Sequence, residues 1–205
     1  RRAGRLYVYG AGAATSGVIS FMKIYDSVCS TVMSGGGRRG AQMGCLDISH
    51  PDIEEFIDTK AREEDKIRAL RDAGFDMDLG GKDIISVQYQ NANNSVRVSD
   101  DFMKAYENDQ DFNLTARVDG RGVKTVNAKQ LFRRMSEAAW ACADPGIQYD
   151  TTINDWHTSP ETGRINASNP CSEYMHLDNS SCNLASLNLM KFLKDDDTFD
   201  ADKFK

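Results

Sequence analysis

No Cys-x-x-Cys pair occurs among the five cysteines, Cys29, Cys45, Cys142, Cys171 and Cys182. An odd, widely spaced set does not make a secreted disulfide framework and fits a reducing cytoplasm. The three histidines, His50, His157 and His176, stand far apart and show none of the spacings of a zinc site, so no metal is expected. Long apolar runs are missing too: nothing approaches the roughly 20 residues of a membrane-spanning helix. Arg1, Arg2 and Arg5 are followed by glycines and not by an apolar core, unlike a signal peptide. Positive charge is short as well. A net charge of −6 argues against nucleic acid as the main partner. Repeats, linkers and low-complexity segments are absent, so the 205 residues read as one continuous piece.

What is present reads as a soluble, globular α/β chain, with 40% apolar and 27% charged residues. Apolar positions at 18, 21, 22, 25, 28, 29 and 32 predict a helix from Val18 to Met33, stopped by Ser34-Gly35-Gly36-Gly37. Met43 to Ile48 reads as a strand. Pro51 opens a second helix running to about Arg71, with Asp52, Glu54 and Glu55 in its first turn. Ile84 to Tyr89 and Ser95 to Val98 read as strands separated by the polar stretch Gln90 to Asn94. Ser99 caps a helix at Asp100 to Glu107, and Asn127 with Gln130 forms a capping box before Ala128 to Ala143. Asp144-Pro145-Gly146 ends that helix, and Ile147 to Asp150 is the next strand. The alternation predicts a largely parallel sheet.

The most informative stretch is Asn169-Pro170-Cys171-Ser172-Glu173, with Ser181-Cys182-Asn183-Leu184 beyond it. In an extended backbone, Asn169, Cys171 and Glu173 project to one side, offering an amide, a nucleophilic or one-electron sulfur and a base. Pro170 lacks a donor and makes a turn equally acceptable. Cys29, Cys45 and Cys142 read as small hydrophobes in predicted elements, and Met22, Met33, Met43 and Met175 as core filler. Cys171, in a polar setting, reads either as packed or as functional. Ser34-Gly35-Gly36-Gly37-Arg38-Arg39-Gly40-Ala41 can bring backbone amides and guanidinium groups to a phosphate or base, or can be a surface turn. It lacks the P-loop spacing, and Gly10-Ala11-Gly12-Ala13-Ala14-Thr15 lacks the third glycine of a dinucleotide fingerprint. Asp195-Asp196-Asp197 reads as a solvated turn.

Six segments in order resemble the catalytic large chain of ribonucleotide reductases, in particular the adenosylcobalamin-dependent class. They are Ser16 to Met22, Gly36 to Gly44, His50 to Phe56, Asp144-Pro145-Gly146, Asn169 to Glu173 and Ser181 to Leu189. The resemblance implies part of a ten-stranded α/β barrel with a central finger loop. It implies that Cys171 becomes a thiyl radical that takes the 3′-hydrogen of the ribose, that Glu173 accepts the 3′-hydroxyl proton and that Asn169 orients the sugar hydroxyls. Ser168 and Pro170 are expected beside the substrate. Cys182 matches one member of a redox-active pair whose partner lies on an earlier strand, and neither Cys29 nor Cys45 matches that partner. Gly36, Gly37, Arg38, Arg39, Gly40 and Ala41 match the specificity loop, with Arg39 the side chain expected to touch the base. The first helix is expected near a homodimer interface where a deoxynucleotide or ATP effector binds.

The reaction so implied is reduction of ribonucleotides, most simply diphosphates, in the cytoplasm, with adenosylcobalamin as radical source and thioredoxin or glutaredoxin as electron donor. No nucleic-acid or membrane partner is expected. An oxygen-dependent reductase with a separate metal subunit is the alternative enzyme, and a non-catalytic nucleotide-binding fragment is the alternative outside enzymes. With the earlier strand and the later barrel absent, the chain is expected to be an internal fragment, a quarter to a half of the enzyme, and not to turn over alone.

Overall fold

The computed structural model describes residues 7–8, 13–34, 38–78 and 80–205. In chain order the elements begin with the short strands β1 (Tyr7–Val8) and β2 (Ala13–Ala14), then α1 (Gly17–Thr31), β3 (Met33–Ser34), β4 (Arg38–Arg39), β5 (Gln42–Asp47) and α2 (Ile53–Asp72). They continue with β6 (Ala92–Val98), α3 (Asp100–Glu107), β7 (Asp111–Thr115), β8 (Gly122–Asn127), α4 (Ala128–Cys142), β9 (Gly146–Tyr149) and α5 (Asp150–Asp155). The chain ends with β10 (Ala167–Ser168), β11 (Met175–His176) and α6 (Ala201–Phe204).

The framework is a three-stranded parallel sheet in the order β5-β6-β9, with Cys45 opposite Ser95 and Val96 opposite Ile147. Parallel strands need long crossovers, and α2 and α4 lie in the two that this sheet requires. The predicted caps form: Ser99 Oγ accepts from the Phe102 N–H at 3.3 Å, and Asn127 Oδ1 from the Gln130 N–H at 3.0 Å. Each satisfies an N–H that the helix itself leaves unpaired.

Side chains on a strand alternate between faces, and here the two faces differ in kind. Leu46, Val96, Val98 and Ile147 join Ile53, Phe56, Ile57, Phe102, Leu131 and Met135 in the main core, between sheet and helices. The opposite face carries Cys45, Ser95, Arg97 and Gln148. Ser95, Arg97 and Gln148 are buried although polar. Strands of a parallel sheet are ordinarily apolar on both faces.

Several expectations are corrected. Helix α1 ends at Thr31, because Val32 turns extended and leads into the antiparallel pair β3–β4, so no glycine cap is used. Helix α2 begins at Ile53 with Asp52 at its N-cap, so Pro51 precedes the helix and does not occupy its first position. The predicted strand from Ile84 to Tyr89 is a 3-10 turn at Ile84–Ser86, followed by Tyr89 with φ of 61°. Local bonds win there: the Asp83 carboxylate accepts from the Asp76 N–H, and the Ser86 hydroxyl donates to the Asp83 carbonyl. The polar stretch from Ala92 to Asn94 belongs to β6 itself. The antiparallel hairpin β7–β8 has no counterpart among the predicted elements.

Buried Asp26 of α1 makes Asn94's strand possible at its start. Its carboxylate accepts from the backbone N–H of Tyr89 at 2.8 Å and of Asn91 at 3.0 Å, fixing the entry into β6. Among the described residues the sheet does not close into a barrel, and β5 and β9 are its open edges. No helix among them is long and apolar enough to cross a membrane.

Candidate active site

Asn169 to Glu173 does not run as a strand. It forms the turn between β10 and β11, closed by the Ser172 N–H donating to the Asn169 carbonyl at 3.0 Å. Thus the alternation that would align Asn169, Cys171 and Glu173 does not apply. A turn brings them to one tip instead, and no hydrogen bond joins their side chains among the described residues. Ser172 sits at φ of 63°, a left-handed conformation uncommon outside glycine and asparagine. Asn169 helps to shape the tip: its Oδ1 accepts from the Tyr174 N–H at 3.0 Å. Cys171 and Glu173 are exposed, and Asn169 and Pro170 are half-buried.

The polar sheet face holds this tip from below. Asn93 Nδ2 donates to the Pro170 carbonyl at 2.7 Å. Gln148 Nε2 donates to the hydroxyls of Ser168 at 2.8 Å and Ser172 at 3.1 Å. Arg97 donates through Nη1 to Gln148 Oε1 at 3.1 Å, through Nη2 to the Ile165 carbonyl at 2.7 Å and through Nε to Asp150 Oδ1 at 2.9 Å. Its Nη2 also pairs with Asp150, which takes a second cation, Arg164, on its other oxygen. A buried guanidinium is tolerable only with such pairing. The expected substrate contact Ser168 is buried, with its hydroxyl engaged in this network.

Cys45 lies on the same face, its sulfur 3.7 Å from Gln148 Oε1. Burial pushes its thiol pKa up, partly offset by a hydrogen bond from the Ser168 backbone and the positive charge of Arg97. It therefore stays protonated at neutral pH. All five cysteines are free thiols, and no cluster of His, Cys, Asp and Glu among the described residues could hold a metal ion. Cys182 is exposed in a segment without regular structure, next to the exposed Leu184 and Leu187.

Gly36 and Gly37 of the expected specificity loop, like Gly10 to Gly12, lie outside the described residues. Arg38 and Arg39 form β4, paired with Ser34 and Met33. Gly40 follows with its N–H 2.9 Å from the Cys29 carbonyl, and a Cβ there would lie 3.0 Å from the Cys29 Cα, so the glycine permits a close approach to α1. Ala41 is exposed. A cleft of about 480 Å³ opens at the carboxyl ends of β5 and β6, lined by Asp47, Arg97, Arg117, Asp150 and Arg164 among others. That is the end of a parallel sheet where ligands are usually bound.

Sequence reasoning missed Asn93, Arg97, Gln148 and Asp150. A partial signal existed: Ser95 and Arg97 alternate along the strand predicted from Ser95 to Val98, where a polar face has no structural use in a parallel sheet, whereas Asn93 fell in the stretch read as a polar break.

The sequence matches the family profile described as "Ribonucleotide reductase, barrel domain" over residues 1–205. It is 67% identical over 199 residues to the vitamin B12-dependent ribonucleotide reductase of Streptomyces coelicolor, covering 95% of this chain and 21% of that protein. The protein of that name from Rhodopirellula baltica is 50% identical over 95% of the chain and 19% of its own length. The vitamin B12-dependent ribonucleoside-diphosphate reductase of Mycobacterium tuberculosis is 37% identical over 92% of the chain and 24% of its own length. The chain thus spans about a fifth of the length of the Streptomyces and Rhodopirellula proteins, less than the quarter to a half expected. With a match along its whole length, the chain belongs to the ribonucleotide reductase barrel-domain family.

Proposed function

We propose that this chain is the finger-loop segment of an adenosylcobalamin-dependent reductase that converts ribonucleotides, in diphosphate form, to deoxyribonucleotides. The observation that carries the reading is the Cys171 turn: an exposed thiol beside an exposed carboxylate, on a tip pinned to a buried polar face. The names of the Streptomyces and Mycobacterium relatives support the cofactor and, for the latter, the diphosphate.

In this reading Cys171, as a thiyl, takes the 3′-hydrogen of the ribose and becomes a thiol. Glu173 then takes the 3′-hydroxyl proton, which a general base must do from hydrogen-bond distance, and the 2′-hydroxyl leaves as water with a proton from a pair of thiols, Cys182 and a partner outside this segment. That pair gives a hydrogen atom to the 2′ carbon and one further electron to the sugar, becoming a disulfide, while Glu173 returns its proton to the 3′ oxygen. Cys171 returns its hydrogen to the 3′ carbon. A dithiol protein of the thioredoxin or glutaredoxin type then reduces the disulfide by exchange. Bound adenosylcobalamin supplies the radical. The exposure of the Cys171 sulfur fits a group reached from outside this segment, and a corrin-held cobalt needs no cluster of protein ligands here.

The sheet β5-β6-β9 supplies three strands of a ten-stranded barrel, whose other strands would cover its open edges. Phe21, Ile24, Tyr25 and Val28, exposed along α1, suit a homodimer interface with a deoxynucleotide or ATP effector nearby, and the β3–β4 hairpin suits the specificity loop. Five free thiols suit a cytoplasmic enzyme. The test is deoxynucleotide formation by the metal-free, full-length protein given a ribonucleoside diphosphate and a dithiol. Product only with adenosylcobalamin is expected. Product only with a metal-loaded partner subunit would overturn the cofactor assignment, and residues 1–205 alone are expected to be inactive.

A further inference from the structure

We propose that Gln148 is the positioning residue that sets the Cys171 sulfur, acting as a latch between the two serines that bracket the turn and the Arg97–Asp150 pair beneath it. The proposal rests on the reductase reading of Cys171, but its structural half can be tested apart from turnover.

The amide of Gln148 can make four hydrogen bonds, two through nitrogen and two through oxygen, and the structure shows each of them used. Nitrogen donates to Ser168 and Ser172; oxygen accepts from Arg97 and from the Cys45 thiol. Arg97 dictates which way round the amide stands. A guanidinium only donates, so the oxygen of Gln148 must face Arg97 and the NH2 group must face the turn. Arg97 cannot swing away, because Asp150 and the Ile165 carbonyl hold its other donors. Both Arg97 and Gln148 are only 2% exposed, so water cannot readily replace these bonds.

The serines contacted are the residues just before Asn169 and just after Cys171. The sulfur is thus carried on a three-residue span clamped at both ends, with Asn93 holding the middle at the Pro170 carbonyl. Ser172 needs such a clamp, because its left-handed backbone is unfavourable for a non-glycine residue and persists only when its surroundings hold it. Glycine there would relieve the backbone but remove the hydroxyl that Gln148 binds. Hydrogen abstraction depends steeply on placement, and a misplacement of about 1 Å can cost on the order of 100-fold.

The experiment uses the full-length enzyme with three changes, Gln148→Leu, Ser172→Gly and the pair together. Steady-state kinetics are read with adenosylcobalamin, and amide hydrogen exchange is followed by mass spectrometry without it. Each single variant is expected to lose about 100-fold in kcat with little change in KM. Exchange should quicken in residues 167–175 but not in α4. The double variant should be no worse than the poorer single one, as expected for two ends of one contact. Should Gln148→Leu disturb α4 as well, Ser172→Gly alone decides. Wild-type kcat with wild-type exchange across the turn in Ser172→Gly would overturn the latch. A wild-type protein that forms no deoxynucleotide with either adenosylcobalamin or a metal-loaded partner subunit would defeat the reductase reading, and the exchange comparison would still decide the latch.

Discussion

On the helix side of β6, Val96 and Val98 pack with Phe102, Ile53, Ile57 and Met135; on the other side of the same strand, Ser95 and Arg97 are buried just as deeply among polar partners. The apolar face gains stability from burial that is non-directional and tolerant of small shifts. The polar face gains little net stability, because each buried bond replaces one to water. Its bonds are directional, and what they provide is a fixed place for the Cys171 turn. One strand thus serves two ends, and the division predicts which substitutions unfold the chain and which silence it.

The sharpest break is Cys171→Ser in the full-length protein. Reduction should fall below detection while nucleotide binding, measured by equilibrium titration, stays as in the wild type. Surviving turnover would remove Cys171 from the chemistry and leave the polar face unexplained. Phe102→Ala tests the other face: it should cost about 3–5 kcal/mol in urea unfolding of the chain, the usual penalty for a deleted core aromatic.

Alkaline pH gives a graded loss from the apolar side. Burial, with the nearby negative charges of Glu63, Asp26 and Glu55, pushes the Tyr89 pKa up to about 12. Its hydroxyl donates to the Ile19 carbonyl at 3.2 Å. Because the folded pKa is raised above the unfolded value of about 10, the stabilisation is fully present below pH 10 and is lost as pH rises towards 12. Tyr89→Phe should flatten the fall in unfolding free energy over that window. The smallest effect expected is at a cap: Ser99→Ala should cost about 1 kcal/mol in the same urea titration, because one helical N–H loses its acceptor.

Local signals read truly wherever neighbours in sequence supply the forces. The caps Ser99 and Asn127, the periodicity of α1 and the end of α2 before Gly74 are all decided within a few residues. The strand from Ile84 to Tyr89 misled because alternation alone says nothing of Asp83, whose local bonds fold the segment into a turn. The β7–β8 hairpin was missed because its polar residues, among them Asn113 and Thr125, which bond each other across the strands, look like loop until paired. Cys171 and Glu173 stood out by residue type and spacing, but their backbone did not, since Pro170 left strand and turn equally open.

The sequence by itself determined the alternation of helix and strand, the parallel sheet, the family and the cysteine proposed to carry the chemistry, because each is written in contiguous residues. Only the tertiary structure decided that Arg97 and Gln148, 51 positions apart, would meet beneath residues 168–172 and hold them. The physical reason is the parallel crossover. It brings strands distant in sequence side by side, and no local pattern in either strand reveals which side chains will then share a hydrogen bond.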